Sequence, residues 1–423
     1  MGNRGVFFIC FVCVTILSLP CQLAVAQETK AESIESLIEE ALENNPQIKA
    51  AYNNWQAATY KARWIRGLPD PMAKYSHFGD NVETRVGPQE QKYGISQKIP
   101  FPGKLSLKGK SQDKRAQMLS EKYEATKQEV VKKVKFIFYD IFWIDTAIQI
   151  TEEEKGIIET LEKVAQRKYE ANLSPQQDVI KAQVELSKMI DRLFMLRQNR
   201  KSLVAKMNSV LNRAKDSALG SAGKVQPQEL TFSLQQLHVI AKEQAQELLI
   251  ANLDVERSEY ERSLAKLSYF PDFTFGFDYI EVGGGHTTAL NDGQDAWMGT
   301  IGITLPIWFG KLASQVKEKE AALKARENNY QDIENSIAYE VEDLYYKITT
   351  YEDIISLYKT ALIPQTEQAF EAARTGYESG KVDFLNWLES ERVLLQTRLA
   401  YYKAIVDYQK TITYLERVIG KSL

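Results

Sequence analysis

Catalysis and metal binding draw on a few kinds of side chain, and this chain of 423 residues is poor in them. It holds three histidines, His77, His238 and His286, too few and too scattered for a metal cage. Its three cysteines, Cys10, Cys13 and Cys21, all fall in an amino-terminal stretch that reads as an export leader. A mature chain starting at Gln27 would then have no thiol for a disulfide, a metal or nucleophilic attack. Met72, Met118, Met189, Met195, Met207 and Met298 belong to a residue type that more often fills gaps in cores than ligates metal. No nucleophile elbow, P-loop, zinc motif or dinucleotide fingerprint occurs. The residues therefore point away from an enzyme, and no catalytic residue, cofactor or resident metal is expected.

The leader spans residues 1–26: Arg4 supplies the positive segment, Val6 to Leu19 the apolar one, and Ala24-Val25-Ala26 a small-x-small cleavage site. A second reading is lipid attachment at Cys21, although Ser18-Leu19-Pro20 ahead of it places proline where a small residue is expected. Net charge is -3 with 26% charged residues, which gives no basic excess, so no nucleic-acid partner is expected. Beyond the leader no apolar run approaches the roughly 18–20 residues of a membrane helix. The mean hydropathy of -0.35 is still compatible with membrane strands, because these alternate apolar and polar residues.

The elements are written twice. Gly94-Ile95-Ser96-Gln97-Lys98-Ile99-Pro100-Phe101-Pro102-Gly103-Lys104-Leu105 corresponds, with small gaps, to Gly302-Ile303-Thr304-Leu305-Pro306-Ile307-Trp308-Phe309-Gly310-Lys311-Leu312. Tyr169-Glu170-Ala171-Asn172 matches Tyr377-Glu378-Ser379-Gly380, and Pro69-Asp70 matches Pro271-Asp272. Three anchors in one order define a first repeat over 27–213 and a second over 235–423, with a linker at 214–234 that contains Gly220, Gly223 and Pro227. Each repeat reads as helix, strand, loop, strand, very long helix, turn, helix: a mostly α fold with a small β part. Strands are expected near 71–79, 91–100, 272–282 and 296–306, with polar loops from Gly79 to Gln91 and Gly283 to Asp295. Long helices are expected near 104–171 and 311–379, and return helices near 175–213 and 383–419. One helix of about 35 residues precedes each strand pair. Val130, Val134, Ile137, Ile141, Ile144 and Ile148 step by four and three, as do Ile405, Tyr408, Ile412, Leu415 and Ile419, which is coiled-coil spacing and reads as core.

In the second repeat Phe273, Phe275, Phe277 and Tyr279 alternate with Thr274, Gly276 and Asp278, and Ile301, Ile303 and Leu305 alternate with small polar residues. The helices bury their own stripes and leave nothing to cover this apolar face. Strands of nine or ten residues cross a bilayer when tilted. Four strands cannot close a barrel in lipid, where about eight is the lower limit and open edges are not tolerated. Self-association is then required; three copies give twelve strands, and two or four are also admitted by physics.

These segments, with Leu37-Ile38-Glu39-Glu40-Ala41-Leu42-Glu43-Asn44-Asn45-Pro46 and the Gly380-to-Glu391 stretch, resemble the TolC family of outer-membrane efflux proteins over essentially the whole mature chain. The resemblance implies an outer-membrane homotrimer. Its periplasmic α-helical barrel would run into a 12-stranded transmembrane β-barrel, four strands per protomer. Its partners would be outer-membrane lipid, a periplasmic adaptor (membrane fusion) protein and an inner-membrane efflux pump of the resistance-nodulation-division type. Gly67-Leu68-Pro69-Asp70-Pro71-Met72 and Ile99-Pro100-Phe101-Pro102-Gly103-Lys104 look most like the heavy-metal efflux branch; a type I secretion or drug-efflux duct of the same family is the alternative. A periplasmic coiled-coil adaptor or scaffold would share the long helices.

The resemblance also implies sites. Adaptor contacts would lie at the tips, Asn172, Leu173 and Ser174 in the first turn and Gly380, Lys381 and Val382 in the second. Leu173-Ser174 fits the family's arginine-leucine-serine pattern with Asn172 in place of arginine, while Ser174 and Pro175 read equally well as a helix N-cap and first helical residue. Asn386 and Glu389 align with a two-carboxylate periplasmic aperture, and Asp383 lies one turn earlier. In a trimer each acid would become a ring of three that raises cation occupancy. The plainer role of an acid at a helix start is to complement the helix dipole.

Overall fold

The computed structural model describes residues 32–423 except 224, 226–228 and 286. The expected leader, its cleavage site, Cys10, Cys13, Cys21, Pro227 and His286 lie outside the described residues. The span of the expected first repeat runs α1 (Ile34–Asn44), α2 (Pro46–Trp64), β1 (Met72–Thr84), β2 (Gly87–Ile99), α3 (Lys104–Glu170) and α4 (Gln176–Leu211). The second runs α5 (Leu234–Gln244), α6 (Gln246–Leu267), β3 (Phe273–Val282), β4 (Ala296–Ile303), α7 (Phe309–Leu357), α8 (Ile363–Glu378) and α9 (Phe384–Ile419). A π-helical turn, Tyr358–Leu362, joins α7 to α8.

Three sequence expectations need correction. The single helix ahead of each strand pair is two helices. Pro46 has no N–H to give and forces extended backbone on Asn45 (ψ 124°), whose side chain then caps Gln47 and Ile48 and donates to Val210 O at 2.8 Å. The second long helix is not a regular α-helix throughout. Pro364 cannot donate to the turn below it, so Ile363 N–H reaches five residues back to Tyr358 O and the helix continues through the π turn. Finally, the polar loop assigned from Gly79 to Gln91 is mostly strand: β1 and β2 are 13 residues each and meet at Arg85-Val86. Gly87 (φ 124°) makes that tight turn, and a Cβ there would run into Gly283 O. Gly283 N–H to Pro88 O (2.8 Å) and Gly293 N–H to Val86 O (2.7 Å) tie the two hairpins together.

At 67 residues, α3 is about 100 Å long at 1.5 Å per residue, so the molecule is a long rod. Its stripe of Val130, Val134, Ile137, Ile141 and Ile144 is buried against α1, α4 and α9. Leu237, Val341, Ile348, Tyr408 and Leu415 form the matching core between α5, α7 and α9. No described helix is long and apolar enough to cross a membrane.

Candidate functional site

The expected site residues fall at one end of this rod and the strands at the other. At one end the strands form one antiparallel sheet in the order β1-β2-β3-β4, the two repeats meeting where β2 pairs with β3. Directly paired residues share a face. Tyr75, Tyr93, Tyr279 and Trp297 therefore stand in one row, Ile95 beside Phe277 in the next, and Ile99, Phe273 and Ile303 in another. The opposite face carries Lys74, Lys92, Gly94, Ser96 and Lys98 with Thr274, Gly276, Asp278, Thr300 and Gly302. Lys92 pairs with Asp278 there at 3.3 Å. The apolar face is uncovered, with Trp297 73% and Ile301 70% exposed. Beyond β4 it runs on into Leu305, Ile307, Trp308 and Phe309, all exposed. Both outer strands, β1 and β4, lack a second partner among the described residues.

The sheet is anchored to the helices at Asp272. Its carboxylate accepts from Phe101 N–H (3.0 Å), Lys104 Nζ (2.7 Å) and Lys98 Nζ (3.1 Å), while Phe101 stacks on Phe270 at 4.6 Å. Burial alone would raise its pKa, but the lysines and the backbone N–H outweigh that and hold the carboxyl at about 2.

At the other end the turns between α3 and α4 and between α8 and α9 are built alike. Leu173 N–H returns to Lys168 O (2.7 Å) and Lys381 N–H to Gly376 O (2.8 Å), each five residues back. That closure puts Asn172 (φ 58°) and Gly380 (φ 75°) in the left-handed region, which asparagine and glycine tolerate and arginine does not favour. The two turns touch: Lys168 donates to Tyr377 O and its ammonium lies 4.3 Å from the Tyr377 ring centroid. Leu173 is 76% exposed, and Gly380 and Lys381 are exposed beside half-buried Val382.

Ser174 does not cap α4. Pro175 occupies the N-cap position, and the Ser174 hydroxyl donates instead to Ala165 O at 3.4 Å. Asp383 is the N-cap of α9, accepting from Asn386 N–H at 2.8 Å. Asp383, Asn386 and Glu389 are exposed on α9. Arg392 lies 3.6 Å from Glu389 but is held more closely by Glu185 at 2.6 Å. Ile180 and Val184 of α4 and Leu385 of α9, each about half exposed, line a groove with Lys181, Glu389 and Arg392.

Two features escaped the sequence reading. The groove leaves no signal in either helix alone. A buried acid cluster does: Glu154 and Glu391 are fully buried and Glu185 nearly so. All three sit on core stripes, as in Ala147, Thr151, Glu154, Ile158, Leu161 and Ala165, which step by four and three.

The model of the family described as "Outer membrane efflux protein" matches residues 37–213 and 237–421. The cobalt-zinc-cadmium resistance protein CzcC of Cupriavidus metallidurans is 20% identical over 405 residues, covering 92% of this chain and 90% of that protein. The outer membrane protein TolC of Vibrio cholerae is 22% identical over 401 residues, with 92% and 91% covered. Among solved structures, the outer-membrane channel OprN superposes with TM-score 0.80 at 14% identity, and CusC with 0.78 at 17% identity. Each covers 93% of both chains.

Proposed function

The chain belongs to the outer membrane efflux protein family, and from that premise we propose that three copies assemble into one exit duct. The family places it in the outer membrane as an efflux channel whose large helical part lies in the periplasm. The single observation that carries self-association is the unfinished sheet, which among the described residues has four strands, two free edges and an uncovered aromatic face, and the number three is the one that the family resemblance implies. Lipid tolerates no free edge, and three such sheets joined edge to edge make a twelve-stranded barrel with the lysine-bearing face turned to the lumen.

The paired tips would then gather on the three-fold axis. Asp383, Asn386 and Glu389 form the aperture, and Leu173, Ser174, Lys381 and Val382, with Asn172 and Gly380 at the bends, meet the periplasmic adaptor of a tripartite pump. Heavy-metal cations are the proposed cargo. The Gly67-to-Met72 segment and the likeness to a cobalt-zinc-cadmium resistance protein support that choice.

Native mass spectrometry of the detergent-extracted protein should give a trimer, and a carbonate wash should leave it in the outer-membrane fraction. A monomer released by carbonate would overturn the assembly. Deleting the gene should sensitise cells to divalent metals more than to hydrophobic drugs; the reverse order would overturn the cargo.

A further inference from the structure

Near the tip, a fully buried carboxyl of the first repeat meets a fully buried carboxyl of the second. Glu154 of α3 and Glu391 of α9 are each 0% exposed, and their side chains are in hydrogen-bonding contact. No other described group donates to either Glu391 oxygen or to Glu154 Oε2. Two carboxylates cannot hydrogen-bond without a proton between them. The surroundings do not neutralise both charges. Arg398 of α9 is 3.4 Å from Glu154 but also serves Glu367 of α8 at 2.9 Å. Arg392 is committed to Glu185 of α4, which Lys188 also approaches at 3.3 Å, and to the exposed Glu389. Glu153 of α3 adds a further negative charge. One positive charge, shared with a third acid, thus faces two buried acids.

We propose that Glu154 and Glu391 share one proton and form a pH-sensitive clamp joining the α3/α4 hairpin to the α8/α9 hairpin just above the tip. Burial, then the charge of Glu154, pushes the Glu391 carboxyl up to about 8, and burial raises Glu154 as well. At neutral pH the pair carries a single charge, answered by Arg398. Loss of the shared proton sets two like charges side by side in a core lined by Leu388, Leu394 and Leu395. The only relief is to draw the hairpins apart and admit water. Because Glu391 stands eight residues past Asp383, about 12 Å along α9, that separation is delivered to the tip.

The sign is that of a carboxyl raised on folding. The clamp is intact below the ordinary carboxylate range and weakens as pH climbs from there through about 8. Spin labels at Glu170→Cys and Glu378→Cys, both exposed ends of the two hairpins, report the gap by pulsed electron paramagnetic resonance. The full chain is used, with labelled copies diluted into unlabelled ones. Raising pH from 6 to 9 should lengthen and broaden the distance in otherwise wild-type protein. Glu391→Gln and, independently, Glu154→Gln replace the shared proton with an amide donor and should hold the pH 6 distance at pH 9. Glu371→Gln, an exposed acid of α8, should follow wild type. A wild-type distance that ignores pH, or a shift of equal size in both glutamine variants, overturns the clamp. The readout needs no conduction, so it stands or falls apart from the duct.

Discussion

Asp272 shows how much one carboxylate does where sheet and helices join. Its three donors come from β2, from α3 and from the loop between them, so it binds the two halves of the chain to each other. The carboxyl is depressed, so its contribution is present above the ordinary aspartate range and is lost as pH falls through about 2. The depression corresponds to about 2 kcal/mol at neutral pH. Asp272→Ala also takes the counter-charge from Lys104, only 14% exposed, and leaves its ammonium the Phe270 carbonyl at 2.8 Å, so a loss of about 2–4 kcal/mol in denaturant unfolding is expected at pH 7. That loss should shrink toward pH 2; an equal loss at both would show that the charge is not responsible. The sequence announced the position through the Pro69-Asp70 and Pro271-Asp272 match, yet not the role, because Asp70 is exposed and the equivalence is one of backbone only. At the tip, Glu389→Ala should raise single-channel conductance and weaken cation preference in planar bilayers, as Arg392 keeps its closer partner Glu185. Unchanged conductance would remove Glu389 from the aperture.

The elements were legible wherever periodicity was imposed by burial. Stripes stepping by four and three located α3 and α9, since each must bury one face for its whole length. What periodicity could not reveal was interruption, at Asn45-Pro46 and Pro364, where one missing N–H redirects the backbone. Nor could it reveal the full reach of β1, expected near 71–79 and running to Thr84, because the apolar and polar residues of Met72–Thr84 alternate only loosely. The hairpin turn depends on Gly87, buried and at φ 124°, pressed against the second repeat at Gly283. Gly87→Ala should lower the thermal midpoint of the strand signal in detergent, at a cost of about 1–3 kcal/mol. Gly79→Ala, with open space around it in β1, should leave that midpoint nearly unchanged. Equal shifts would mean that β-strand glycines matter here only through backbone entropy.

For the whole molecule, which face of the sheet meets lipid decides whether the rod is a channel or a soluble bundle bearing a small sheet. In water, an uncovered face of Phe275, Phe277, Trp297 and Ile301 would drive association of any geometry. In lipid the same face is the stable one, and the opposite face, with Lys74, Lys92 and Lys98, is left for a lumen. Adjacent residues of β4 separate the cases, because Thr300 and Ile301 point to opposite sides and both are exposed in the single chain. A lysine in lipid near mid-bilayer costs about 2–4 kcal/mol, and three copies multiply it. Ile301→Lys should therefore strip most of the protein from the carbonate-resistant outer-membrane fraction. Thr300→Lys should remain there and shift ion preference toward anions, since it adds positive charge to a lysine-lined lumen. If the two variants fractionated alike, the sheet would not be reading lipid on one side and water on the other, and the edge-to-edge closure of three chains would lose its physical cause.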